Sequence, residues 1–348
     1  MFSRITWIPC NMLVVSLLGF SSLATAMSVV SIGDYVRSLD SRAATGIPAQ
    51  DFDNIKFYSQ HAAAAYCNFK ATPGSVLKCD RGACPLVEKN APTVLASFEG
   101  SATGESAYVS LDETRKEIVL SMRGSDSIRN YLTDVFTFWH ECHFTSDCQV
   151  HAGFSKSWRE IRDDITSAVQ TARGRFPTYR FVTVGHSLGA ASALLAVADF
   201  IQDGIPTDLY TYGSPRVGND HFVNWIDSQP GVRFRVTHGK DPIAKLPPIL
   251  FGYRHTSPEY WLYKGGGVQD EPDVEVRVCD GIKNTDCNAG TGGLDLWAHM
   301  NYLGDTSTCM GDPIVKWKRD DAADSELGQR LMDWSQQDRD FVKEENSK

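Results

Sequence analysis

Apolar and polar positions run in blocks along this chain, and the period changes from block to block. DFDNIKFYSQHAAAAYC, from Asp51 to Cys67, reads as a helix with Asp51 or Asp53 at its N-terminal cap. The runs VLASFEG, SAYVSLD and EIVLSMRG follow, separated by the polar turns SATGES and ETRK, and predict strands. Over 153–174 the period is helical, with Phe154, Trp158, Ile161, Ile165 and Val169 on one face and Gly174 near the end. Next come a strand in YRFVTV, a packed helix in LGAASALLAVADF, a strand in LYTYGSP, a helix in NDHFVNWIDS and a strand in VRFRVTH. This alternation implies an α/β fold, with a central, mainly parallel sheet flanked by helices on both faces. No internal repeat interrupts it.

The two ends depart from that pattern. Arg4 precedes an apolar run from Met12 to Phe20, and Ala24-Thr25-Ala26 follows. A charged start, a short apolar run and small residues at a cleavage site predict a signal peptide over 1–26. The run is too short for a span, which takes ~20 residues. Residues 27–42 read as a pro-segment or a disordered leader, and 43–315 as the main domain. From 316 to 348 the chain is polar, with Leu327, Leu331, Trp334, Phe341 and Val342 available as one apolar stripe. Packing of this extension on the main domain is expected; a removable extension is the alternative.

Charge and cysteine content narrow the classes. The net charge is −9, without a basic run, which argues against a nucleic-acid partner. Cys10 falls in the signal peptide, leaving eight cysteines, an even number that suits an oxidising compartment. Cys79–Cys84, Cys142–Cys148 and Cys279–Cys287 suggest themselves as close pairs, leaving Cys67 and Cys309. Spacing alone does not prove this connectivity. Zinc is the rival reading, but repeated C-x-x-C pairs are missing, so no metal is expected.

The candidate chemistry centres on Gly185-His186-Ser187-Leu188-Gly189, which fits G-x-S-x-G between a strand and a helix. Ser187 is the candidate nucleophile, and the Leu188 N–H at the helix start is a candidate oxyanion donor. His186 is too close on the turn to act as base. In this fold the acid and then the histidine follow the serine. Asp199, Asp203, Asp208, Asp220 and Asp227 fall on predicted helices or their flanks, whereas Asp241 lies in a loop at a strand end, where sites of parallel sheets form. His221 sits in a helix, His238 just before the acid and His255 in a run resembling an added strand. His299 is favoured by elimination, with His238 and His255 still open. The second oxyanion donor is assigned to Ser125, after the strand EIVLSMRG. Beyond it, Ile128, Tyr131, Leu132, Val135 and Phe136 form an apolar stripe; core packing is the plain reading, and a mobile lid is suggested by its position.

The stretches KFYSQHAAAAYC, MRGSDSIRNYL, TVGHSLGAA, YTYGSPRVGN, DPIAKLPP and GYRHTSPEYWL together resemble the fungal class 3 lipases of the α/β-hydrolase superfamily, in particular the Fusarium-type extracellular lipases and phospholipases A1. The resemblance runs from about Phe52 to Cys309 and continues weakly into the tail. It implies Ser187, Asp241 and His299 as a catalytic triad and Ser125 and Leu188 as the oxyanion hole. It also implies Ser127, Ile128, Arg129, Asn130, Tyr131 and Leu132 as the lid, and the four disulfides above. A departure is Trp297-Ala298-His299-Met300-Asn301-Tyr302, where the residue after the histidine differs from many relatives.

The expectation is a secreted, cofactor-free, monomeric serine hydrolase acting on a lipid ester at an oil–water or membrane interface. Triacylglycerol is the first choice of substrate, with phospholipids and partial glycerides next. A polar-ester esterase of the feruloyl type and a non-catalytic secreted binding protein are the rival classes.

Overall fold

A computed structural model describes residues 46–125, 138–310 and 326–348. The signal peptide, the pro-segment, the lid segment over 127–136 and the first part of the C-terminal extension lie outside the described residues.

Helix α1 (Ala49–Asn68) begins before either expected cap. Pro48 occupies the cap position, where its ring fixes φ at −54° and its carbonyl accepts the Asp51 and Phe52 amides. Asp51 therefore lies inside the first turn, and neither Asp51 nor Asp53 is the cap. After the short helix α2 (Pro85–Asn90), the strands β1 (Thr93–Glu99), β2 (Ser106–Asp112) and β3 (Glu117–Arg123) form an antiparallel meander. The small strands β4 (Trp139–Glu141) and β5 (Gln149–His151) make a separate ribbon, tied by Cys142–Cys148.

Helix α3 (Ala152–Arg175), strand β6 (Arg180–His186), helix α4 (Leu188–Gln202), strand β7 (Asp208–Tyr212), helix α5 (Asp220–Ser228) and strand β8 (Arg233–His238) supply the α/β body. Two further strands, β9 (Glu259–Lys264) and β10 (Glu275–Cys279), extend the sheet, and two late helices follow, α6 (Leu296–Met300) and α7 (Glu326–Asn346). His255 lies ahead of β9, beside Arg254, which bridges Gly218, so it belongs to a loop and not to an added strand.

The eight-stranded sheet runs β1-β2-β3-β6-β7-β8-β9-β10, with parallel pairing from β3 through β9. The two-residue period of the strands divides the core. Val119 and Val182 face α1, where they meet Ile55, Tyr58 and Ala62. Ile118, Leu120 and Phe181 face the opposite way, against Trp158 and Ile165 of α3 and the apolar α4. The stripe on α7 packs as well: Leu331 and Val342 are buried, and Leu331 joins a third cluster with Ile243 and Leu246. Cys67 in α1 is bonded to Cys309 across 242 residues, and Cys79–Cys84 and Cys279–Cys287 close short loops.

Candidate active site

Ser187 stands alone between β6 and α4, at φ 58° and ψ −128°. A side chain rarely adopts positive φ, so the surrounding structure must hold it there. Its amide donates to the Tyr212 carbonyl on the neighbouring strand (2.9 Å), and its own carbonyl accepts the Ala190 amide (3.0 Å). The flanking glycines permit the turn: a Cβ on Gly185 would sit 2.4 Å from the Gly189 carbonyl oxygen, and one on Gly189 would sit 2.4 Å from that of Met122.

The loops at the carboxyl ends of the later strands bring the other two groups. Asp241 follows β8, and His299 lies on α6, whose first turn is capped by Asp295 accepting from the Trp297 and Ala298 amides. His299 Nε2 is 2.9 Å from Ser187 Oγ, and His299 Nδ1 is 2.8 Å from Asp241 Oδ2. All three residues are fully buried. A carboxylate can only accept, so Nδ1 carries the imidazole proton and Nε2 is left to accept from the serine hydroxyl.

Burial pushes the Asp241 carboxyl up, but His299, the Tyr302 hydroxyl and the Ile243 amide outweigh it and hold the group below the ordinary carboxylate value. The Ile243 amide donates to Oδ1 at 2.8 Å, and Tyr302 donates to Oδ2 at 2.5 Å. Two further histidines grip the backbone of the His299 segment. His186 donates from Nε2 to the His299 carbonyl (2.8 Å) and accepts from Tyr66 at Nδ1 (2.7 Å). Burial, helped by the neighbouring His299, lowers His186 to about 3 and keeps it neutral. His238 donates from Nδ1 to the carbonyls of Asn301 (2.7 Å) and Ala298 (3.1 Å).

The remaining candidates lie elsewhere. His221 is exposed on α5, and His255 donates to the Ala244 carbonyl. Asp199 accepts from the Trp158 indole, Asp208 pairs with Arg180, and Asp227 accepts the Ser257 amide. Asp203 and Asp220 are exposed. Leu188 opens α4, where a first-turn amide has no partner within the helix. Ser125 is half-buried two residues past the end of β3, and the preceding Gly124 abuts the Ser187 turn: a Cβ there would lie 3.0 Å from Ser187 Cβ. The arrangement can activate a hydroxyl and return its proton to a leaving group. Among the described residues, no cluster of three His, Cys, Asp or Glu side chains could hold a metal ion.

Sequence reasoning did not assign Tyr302, nor the grips of His186 and His238 on the His299 segment. The only signal was the placement of Tyr302 three residues beyond His299.

The family described as Lipase (class 3) matches residues 119–251. The secreted mono- and diacylglycerol lipase 1 of Fusarium solani is 49% identical over 96% of this chain and 99% of its own length. The secreted mono- and diacylglycerol lipase A of Penicillium camembertii is 38% identical, over 86% of this chain and 99% of its own. Among solved structures, the mono- and diacylglycerol lipase from Aspergillus oryzae is 37% identical with a TM-score of 0.71, over 75% of this chain and 100% of that one. The chain belongs to the fungal class 3 lipases, carboxylic-ester hydrolases with the α/β-hydrolase fold.

Proposed function

We propose that the protein is a secreted glycerolipid hydrolase that works through Ser187, His299 and Asp241, and that mono- and diacylglycerols are among its substrates. The observation that carries the mechanism is the unbroken hydrogen-bonded chain from Ser187 Oγ through the imidazole of His299 to Asp241 Oδ2. Ser187 attacks the acyl carbon while His299 Nε2 takes its proton. The amides of Leu188 and Ser125 receive the negative charge that develops on the carbonyl oxygen. His299 then protonates the departing glycerol oxygen, leaving an acyl-enzyme. Water attacks next, with His299 again as base, and the fatty acid leaves. Asp241 holds the imidazole orientation and stabilises its cation throughout.

The substrate class and the export are supported by the relatives named secreted mono- and diacylglycerol lipase at 49% and 38% identity. Triacylglycerol is the second reading, favoured by the likeness to the solved structure of Rhizomucor miehei triacylglyceride lipase, at 26% identity and a TM-score of 0.66. We read the protein as a monomer that meets its substrate at an oil–water or membrane surface, with the segment over 127–132 as its lid.

The test is hydrolysis of monoacylglycerol, diacylglycerol, triacylglycerol, phosphatidylcholine and a phenolic ester by the full chain and by Ser187→Ala. Partial glycerides should be cleaved and Ser187→Ala should be inert. Cleavage of the phenolic ester alone would overturn the reading in favour of a polar-ester esterase.

A further inference from the structure

The C-terminal helix α7 is held by more than its apolar stripe. Asp338 is 2% exposed and Arg216 is 1% exposed, and their ion pair measures 2.9 Å. A buried guanidinium this poor in solvent needs its counter-charge. The same Arg216 nitrogen also donates to the carbonyls of Lys245 (2.6 Å) and Pro247 (2.8 Å). Asp338 meanwhile accepts the amides of Ile249 (2.9 Å) and Leu250 (3.0 Å). One carboxylate on α7 thus fixes the segment that runs onward from Asp241.

The next residue of α7 reaches the other catalytic segment. Arg339 donates to the Thr291 carbonyl (3.3 Å), in the loop that leads into α6 and His299. Lys245 Nζ donates to that same carbonyl (2.8 Å) and to the Gly293 carbonyl (3.3 Å), so the two loops are tied to each other at the point where α7 touches them. The apolar contacts agree: Leu331, Leu327 and Trp334 of α7 share a cluster with Ile243 and Leu246 on the acid segment and Leu296 and Met300 on the histidine segment.

We infer that α7 is a positioning element of the active site, in which Asp338 sets the Asp241 segment and Arg339 the His299 segment, so that the distance between acid and base is held from the C-terminal helix. This rests on the triad reading above. Neither residue touches the reacting atoms; each acts through a loop. Loosening either loop lets the imidazole drift from the serine, and a misplacement near 1 Å costs on the order of 100-fold in rate.

The experiment uses the full chain with a dissolved short-chain ester and counts competent serines with a covalent fluorophosphonate. Arg339→Gln is expected to lower kcat per titrated site about tenfold with KM changed less than about twofold, and Arg339→Lys to restore most of it, because an ammonium can still donate to Thr291. Asp338→Asn should lose more, since it leaves Arg216 uncompensated; if it fails to fold, Arg339→Gln alone decides. Gln337→Ala, exposed on the same helix, should match the wild type. Unchanged kcat in Arg339→Gln, with only a lower melting temperature, would overturn the inference, and so would a raised kcat. Ser187→Ala is assayed alongside: activity surviving in that variant would sink the triad reading itself, whereas an inert Ser187→Ala beside a normal Arg339→Gln would sink only the role of α7.

Discussion

The hydroxyl of Tyr302 donates to Asp241 at 2.5 Å, on the same carboxylate oxygen that receives the His299 Nδ1–H. Both residues are buried, so water cannot replace the bond. Tyr302→Phe keeps the ring against His186 and Tyr212 and deletes only the donor. A hydrogen bond to a charged group contributes about 1.5–3 kcal/mol. The variant should stay folded and lose roughly tenfold or more in kcat, measured on a dissolved ester. Wild-type kcat in the phenylalanine variant would leave Tyr302 as packing only.

Ser187→Ala and His299→Ala should each abolish nearly all ester hydrolysis while leaving the protein folded. On the proposed mechanism the two groups act as one unit, so the double variant should be little worse than either single. Initial rates on one ester, with circular dichroism as the control for folding, decide it. A folded His299→Ala enzyme near wild-type turnover would contradict the assignment of the base.

The bond between Cys67 and Cys309 closes a loop of 242 residues in sequence separation. In the chain-entropy account a loop of that size stabilises the fold by roughly 5 kcal/mol. Replacing both cysteines with alanine should therefore shift the guanidinium midpoint strongly downward, and much more than replacing the Cys142–Cys148 pair, whose loop is short. Equal shifts for the two pairs would argue against a loop-entropy origin.

His255 bears on acid stability. Burial, with Arg235 and Arg216 nearby, pushes its imidazole well below the ordinary value, and His61 and His186 are each lowered to about 3. The sign follows from which state binds the proton. Above the unfolded pKa of about 6.5 neither state is protonated, and below it only the unfolded chain takes the proton. Each such histidine thus removes ~1.4 kcal/mol of stability per pH unit as pH falls toward its folded value. Glu105, raised by burial to about 8, and Asp227, raised to about 6, act the other way across their own ranges. The histidine contribution is isolated by comparison: at pH 5, His255→Gln should take up about one proton fewer than the wild type on unfolding. Calorimetry in buffers of different ionisation enthalpy measures this, and equal uptake would mean His255 is already charged in the fold.

The parts of this molecule with a strong period were legible from residues alone. The strand, turn and helix around Ser187 occupy the expected positions because a buried strand, two glycines and an Ala-rich helix leave little alternative. The helix over 153–174 is present as α3 for the same reason. What could not be read depends on partners distant in sequence. Asp338 looks like any solvated acid on a polar helix, and only the fold sets it against Arg216. The β4–β5 ribbon has three residues per strand, too few to show alternation. The start of α1 departs from the sequence pattern because an aspartate cap is the commoner device, whereas here Pro48 sets the entry.

The order of the parts along the chain has a consequence for biosynthesis. Ser187 is made near the middle, and Asp241, then His299, then Cys309 and finally α7 come later. A growing polypeptide can fold the Ser187 turn long before His299 is made, and Cys67 waits for Cys309 through most of translation. A product that stops before residue 299 would therefore carry Ser187 without the histidine that sits beside its hydroxyl in the folded protein.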